Sequence, residues 1–168
     1  MLTKTTHKFL SLLFVSVLLF SFTKPVYQTN FSGTWTLNEG KSELGQFGAR
    51  GAISKIVIDQ KTDGISVVKT TTGRDGNAVE TSETLVEGKE SETPFFGAGK
   101  KKSVLKWAAD GNTFNVNATI AMDFNGQSIE MKGLETWSLS ADGKTLTLQN
   151  NITTAQGEFA TKSVFDKK

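Results

Sequence analysis

The sequence predicts an all-β protein, an antiparallel up-and-down meander of eight to ten strands that closes into a barrel. Three observations predict it. Five Asx-Gly pairs punctuate the chain, Asp63-Gly64, Asp75-Gly76, Asp110-Gly111, Asn125-Gly126 and Asp142-Gly143, and these dipeptides supply the positive φ of tight hairpin turns at the least steric cost. The segments between them are short, Thr-rich and mostly alternating in polarity, the period of a strand with one buried face. No segment beyond residue 23 carries a helical apolar stripe.

The first residues are set apart from the fold. Lys4, His7 and Lys8 precede a fourteen-residue apolar run from Phe9 to Phe22, which ends at Thr23-Lys24-Pro25. A basic start and a short apolar core form the pattern of a secretory signal, and the run falls short of the ~20 residues of a membrane-spanning helix. We therefore expect a signal peptide over 1–23, with cleavage anywhere to about residue 28, and a barrel domain over 30–168. Left uncleaved, the same run is an N-terminal anchor; once removed, it leaves no stable membrane span. Its loss takes away Lys4 and Lys8 and leaves 17 basic side chains against 17 acidic ones. The sequence pI of 8.8 thus belongs in part to the export segment, and no nucleic-acid partner is expected. An exported chain without Cys points to a bacterial periplasmic or secreted protein.

Strand register follows from the turns. Over 112–124, Phe114, Val116, Ala118, Ile120, Met122 and Phe124 alternate with polar residues, and Ile129, Met131, Gly133, Trp137 and Leu139 share one face of the next strand. A tight turn fixes which residues face each other, and a one-residue slip would invert the faces. A turn at Asn125-Gly126 sets Met122 against Ile129, Ile120 against Met131 and Phe114 against Trp137. One at Asp110-Gly111 sets Trp107 against Phe114 and Leu105 against Val116, and one at Asp142-Gly143 sets Leu139 against Leu146 and Trp137 against Leu148. All three put apolar on apolar. A turn placed at Gln156-Gly157 sets Leu148 against Phe165 and Asn150 against Ser163. Strands over 33–38, 52–60, 65–72, 77–87 and near Glu90 follow the same grammar without a fixed register. A sheet of this many strands either closes or splits into two layers, and closure gives a barrel able to enclose a small cavity.

Phe31-Ser32-Gly33-Thr34-Trp35 opens the barrel domain. With this Gly-x-Trp ahead of a meander of the right length, the chain resembles the calycins, meaning lipocalins and fatty-acid-binding proteins, and is similar to small exported bacterial lipocalin-like proteins. The resemblance implies that Gly33 and Trp35 mark a plugged barrel end, that the loop over 38–50 sits over the mouth, and that a basic residue near the C-terminus packs on Trp35. Lys162, in Ala160-Thr161-Lys162-Ser163-Val164-Phe165, is the candidate for that residue, although the Gln156-Gly157 turn points it outward. The Arg-x-Tyr of the fatty-acid binders is absent from this strand.

Glu135 is the unusual inward position. It lies between Gly133 and Trp137 and opposite Asn150, which makes a polar row Glu135, Asn150, Ser163 inside an apolar barrel. An ionised carboxylate there needs a partner. Two readings stay open: Asn150 and Ser163 satisfy Glu135, with a trapped water, or the row orients a ligand's hydroxyl or amine against a wall of Trp107, Trp137, Phe114 and Met131. The segment 93–102 also has two readings. Phe95 and Phe96 beside Lys100, Lys101 and Lys102 touch a membrane surface or a partner, or the Phe side chains fold over the mouth above solvated lysines. The Asp residues before Gly are explained as turn residues and are not offered as metal ligands.

The single His, His7, belongs to the export segment. A mature chain with neither His nor Cys has no Ser-His-Asp or Cys-His nucleophile and no ordinary zinc site. No catalytic residue, cofactor or metal is expected. The chain reads as an exported, non-enzymatic barrel that binds a small, mainly apolar ligand in its interior. The alternative is a protein-interaction module or hydrolase inhibitor, with a solid barrel acting through the loops at 39–51 and 93–102. Nothing in the residues fixes an oligomeric state.

Overall fold

Among the described residues, ten strands follow one another: β1 (Gly33–Leu37), β2 (Ile53–Lys61), β3 (Gly64–Thr72), β4 (Ala78–Leu85), β5 (Glu90–Phe95), β6 (Gly99–Trp107), β7 (Thr113–Phe124), β8 (Gln127–Leu139), β9 (Thr145–Thr154) and β10 (Gly157–Lys167). This computed structural model describes residues 27–168 other than Arg74, Phe96, Gly97 and Asn125, and omits the side chains of Gln46, Phe47, Arg50 and Phe124. The signal expected over 1–23 lies outside the described residues. Each strand pairs antiparallel with its neighbour in the chain except at β4 and β5, and β1 pairs with β10. The result is one nearly closed barrel with a single seam between β4 and β5.

The three central hairpins have the register that their turns predict. Trp107 faces Phe114, Phe114 faces Trp137, and Trp137 faces Leu148. The turns at 108–111 and 140–143 differ in form. Gly111 N–H donates to the Ala108 carbonyl and Gly143 N–H to the Ser140 carbonyl, so each Asp sits inside the turn and the following Gly, at φ +68 or +66, takes the left-handed position. These longer loops preserve the register of a two-residue turn. Asp110 and Asp142 each accept the backbone N–H two residues on, which is turn chemistry. The β7–β8 loop contains Asn125, outside the described residues, and Gly126 at φ +78 with open space around a hypothetical Cβ. Gly126→Ala therefore meets backbone strain alone and is expected to cost about 1 kcal/mol, measurable by urea unfolding.

The last hairpin differs from its expected register. Thr154 pairs with Gly157, so Ala155-Gln156 form the loop, and Leu148 faces Ser163 while Asn150 faces Thr161. A two-residue shift leaves every side chain on its original face, so alternation cannot distinguish the two registers. The observed one sets Phe165 against Leu146 and Phe159 against Ile152, whereas the expected one pairs Phe165 with Leu148 but leaves Ile152 against Thr161.

The core fills one end of the barrel, where the chain turns after β2, β6 and β8. Phe31, Trp35, Ile56, Leu105, Phe114, Val116, Trp137, Leu146 and Phe165 are all essentially inaccessible there. Residues 29–31 strap this end shut: Thr29 N–H donates to the Gly111 carbonyl, Phe31 N–H to Gln60 Oε1, and Gln60 Nε2 to the Thr29 carbonyl. The Phe31 ring stands edge-on to Phe114 at 4.8 Å. Gly33 and Trp35 mark this plugged end, but Lys162 does not cover the tryptophan. It lies on the outer face and reaches Glu43 at 3.8 Å, while Lys167 stands 5.1 Å from the Trp35 ring centre. Lys167 is the register partner of Trp35 and shares parity with buried Phe165, whereas Lys162 has the opposite parity.

β1 is short, and the chain beyond it forms two 3-10 turns, Glu39–Lys41 and Gly45–Gly51. Gly45 comes against the Thr161 methyl, and the second turn also touches β3. The loop therefore lies at the open end, as expected of it.

Candidate functional site

Above the packed end, four charged side chains from four strands meet inside the barrel. Glu135 of β8 takes Lys69 of β3 on both carboxylate oxygens at 2.8 Å. Lys101 of β6 reaches Glu135 at 3.4 Å and Glu83 of β4 at 3.2 Å. The chain of charges runs Lys69, Glu135, Lys101, Glu83 and carries no net charge. Its side chains are between 11% and 16% exposed, so the layer is largely shielded from solvent.

Local sequence places each member. Lys69 continues the inward series of Ile65 and Val67, Glu83 precedes buried Leu85 by two residues, and Lys101 precedes buried Ser103 and Leu105 in the same parity. The aromatic end supports the layer from below. Trp137 donates its indole N–H to Glu135 at 3.1 Å, and Lys69 lies 5.1 Å from the same ring. Ser91 of β5 donates to Glu83 at 2.7 Å, so Glu83, Ser91 and Lys101 join across the seam that lacks backbone pairing. Ser103 Oγ is fully buried with no hydrogen-bond partner of regular geometry among the described residues, yet it lies close enough to Glu83 to favour the ionised form.

Glu135, Glu83 and Lys101 are held in their charged forms. Burial pushes Glu135 upward, and Lys69 first, then Lys101, outweigh it, so the carboxyl is held down at about 2. Burial raises Glu83 too, but Lys101, Ser103 and Ser91 bring it below the ordinary glutamate value. Burial alone would lower Lys101, and Glu135 and Glu83 reverse that. Neither carboxylate holds a proton to give at neutral pH, so neither is set up as a general acid there.

This corrects the polar row. Asn150 flanks Glu135 as its cross-strand neighbour, but lysines satisfy the carboxylate, not Asn150 and Ser163. The row is Glu135, Asn150, Thr161, because the last hairpin is shifted; Ser163 is buried opposite Leu148, one step deeper. The proposed aromatic wall is split by the layer. Phe114 stacks on Trp137 at 5.4 Å and meets Trp107 edge-on at 5.3 Å, all within the plugged end, while Met131 lies on the mouth side opposite Ile120.

On the mouth side, the inner face over β7 to β10 stays apolar and is only partly covered. Ile120 is buried, Met122, Ile129, Met131 and Ile152 are half-buried, and Phe159 is 49% exposed. The outer lysines are accounted for. Lys100 pairs with Glu92 at 2.8 Å and Lys102 with Glu90 at 2.9 Å, so Lys100, Lys101 and Lys102 form no free cationic patch. Phe95 is half-buried at the end of β5, and Phe96 lies outside the described residues.

No family model matches the chain, and neither does any curated protein. Among solved structures, zebrafish ileal bile acid-binding protein in complex with cholic acid matches with a TM-score of 0.50 at 20% identity, covering 82% of this chain and 98% of that one. The match takes in most of this chain and nearly all of that one. The fold is calycin-like.

For a calycin-like barrel, the three missed charges had readable signals. Lys101 follows from extending the Trp107–Phe114 register to Ile120. Lys69 and Glu83 follow from the parity of Val67 and Leu85, once charged residues are admitted to an inward face.

Proposed function

We propose that this protein is an exported, non-enzymatic barrel that binds a small, mainly apolar molecule in the mouth half of its interior. The observation that carries the reading is the partly covered apolar wall of Met122, Ile129, Met131, Ile152 and Phe159 above a polar floor. A folded domain ordinarily covers such a face, and a concave apolar surface with a few convergent polar groups is what ligand sites look like. The solved barrel of the same fold holds cholic acid, which supports an interior ligand as a use to which this architecture is suited. The absence of His and Cys beyond His7 and the commitment of both inward carboxylates to lysine partners both favour binding over catalysis. Removal of residues 1–23 as a signal peptide would deliver the barrel outside the cytoplasm.

Native mass spectrometry of the protein purified from its own source should show a bound small molecule, and the neutral fluorophore Nile red should bind with a blue-shifted emission. Met131→Lys, which puts a charge on the apolar wall, should weaken Nile red at least about tenfold. A protein that arrives empty and leaves Nile red unshifted would rule out an interior site.

A further inference from the structure

The charge layer restricts which head group the interior accepts. Resting on the interior site proposed above, we infer that the ligand is an amphiphile with a neutral, hydroxyl-bearing head, such as a monoacylglycerol or a long-chain alcohol, and not a fatty-acid anion.

Both inward lysines are already committed. Lys69 spans the two oxygens of Glu135, and Lys101 bridges Glu135 and Glu83. Two cations against two carboxylates leave no excess positive charge within the layer, so a carboxylate entering as far as the layer would meet Glu135 and Glu83 with no free counter-ion among the described side chains there. It would also lose its own hydration in a space that returns too little. A neutral head meets different groups. Asn150 stands beside Glu135 in the neighbouring strand, and Thr161 stands beside Asn150 in the next. Both are half-buried, and neither side chain makes a hydrogen bond among the described residues. An amide and a hydroxyl together offer donors and acceptors without charge, which suits a group that both donates and accepts. The apolar stretch above, from Ala118 to Met122 on β7 with Gly133, Met131 and Ile129 facing it, runs about 13 Å along the strand at the usual rise. That accommodates a medium-length alkyl chain.

The test is competition against bound Nile red at pH 8, with monolauroyl glycerol and laurate compared below their micelle concentrations. Monolauroyl glycerol is expected to displace the dye at a concentration at least about fivefold lower, the factor that one ordinary hydrogen bond of about 1 kcal/mol contributes. Asn150→Leu should bring the ratio close to one. Glu135→Gln, which releases a cation while its amide keeps the shape, should move the preference toward laurate. Laurate competing as well as the glycerol ester in the unaltered protein overturns the inference and leaves the interior site standing, as does a ratio that Asn150→Leu does not change. Absence of Nile red binding overturns the interior site and the inference with it.

Discussion

Glu135→Gln should destabilise the protein by about 3 kcal/mol at neutral pH, the lower part of the range for removing one partner of a buried ion pair, and lower Tm by roughly 10 °C for a domain of this size. The amide retains the volume and can still accept from Trp137, so the loss reports charge. Lys69 loses the carboxylate that both of its 2.8 Å contacts reach, and Lys101 keeps Glu83 as its carboxylate partner. The pH dependence has a definite sign. The folded carboxyl titrates at about 2, below its unfolded value of about 4.3, so the unfolded chain binds the proton first as pH falls. The contribution is complete above about pH 5 and disappears as pH drops toward 2. Thermal melts followed by circular dichroism should therefore show the wild-type and Glu135→Gln curves converging in acid. Curves separated by the same interval from pH 7 to pH 3 would mean that the layer is not held by the charge on Glu135.

Phe114→Ala should cost about 4 kcal/mol, within the range for removing a large aromatic from a packed core. Phe114 is wholly buried, stacked on Trp137 and edge-on to both Phe31 and Trp107. Its loss leaves a cavity among three large rings that are held by a strap, a turn and a stacked strand pair, so collapse into the space is limited. Urea unfolding gives the size of the loss. Nile red titration then separates core from wall. The dye should bind the folded variant as it binds the wild type, because Phe114 lies below the charge layer. A parallel drop in affinity would place the ligand in the plugged end.

The second half of the barrel was legible because local turn chemistry and the polarity pattern agree there at successive hairpins. Trp107, Phe114, Trp137 and Leu148 fall into line from their turns alone. The last hairpin was not, since Ala155-Gln156 carries no turn signature and a shift of two residues does not disturb alternation. The first half failed for a different reason. Lys69 and Glu83 occupy inward positions where an apolar residue is expected, and so weaken the very alternation that would have revealed them. Glu135 stood out because its hairpin was otherwise well determined, but its partners come from strands far away in the chain. Charge pairing over such separations leaves no periodic trace in the sequence.

The pairing of β1 with β10 has a consequence for how the ring forms. Trp35 and Lys167 are register partners, so the clasp joins the two ends of the folded chain. Closing a loop of this length costs on the order of 4 kcal/mol in chain entropy for the length-dependent part alone. The hairpins from β6 to β10 can assemble one after another with only short loops to close, but β1 has no second neighbour until the final strand exists. Sealing the ring around Trp35 is therefore a late event, available only to a chain whose C-terminal strand is already free to fold.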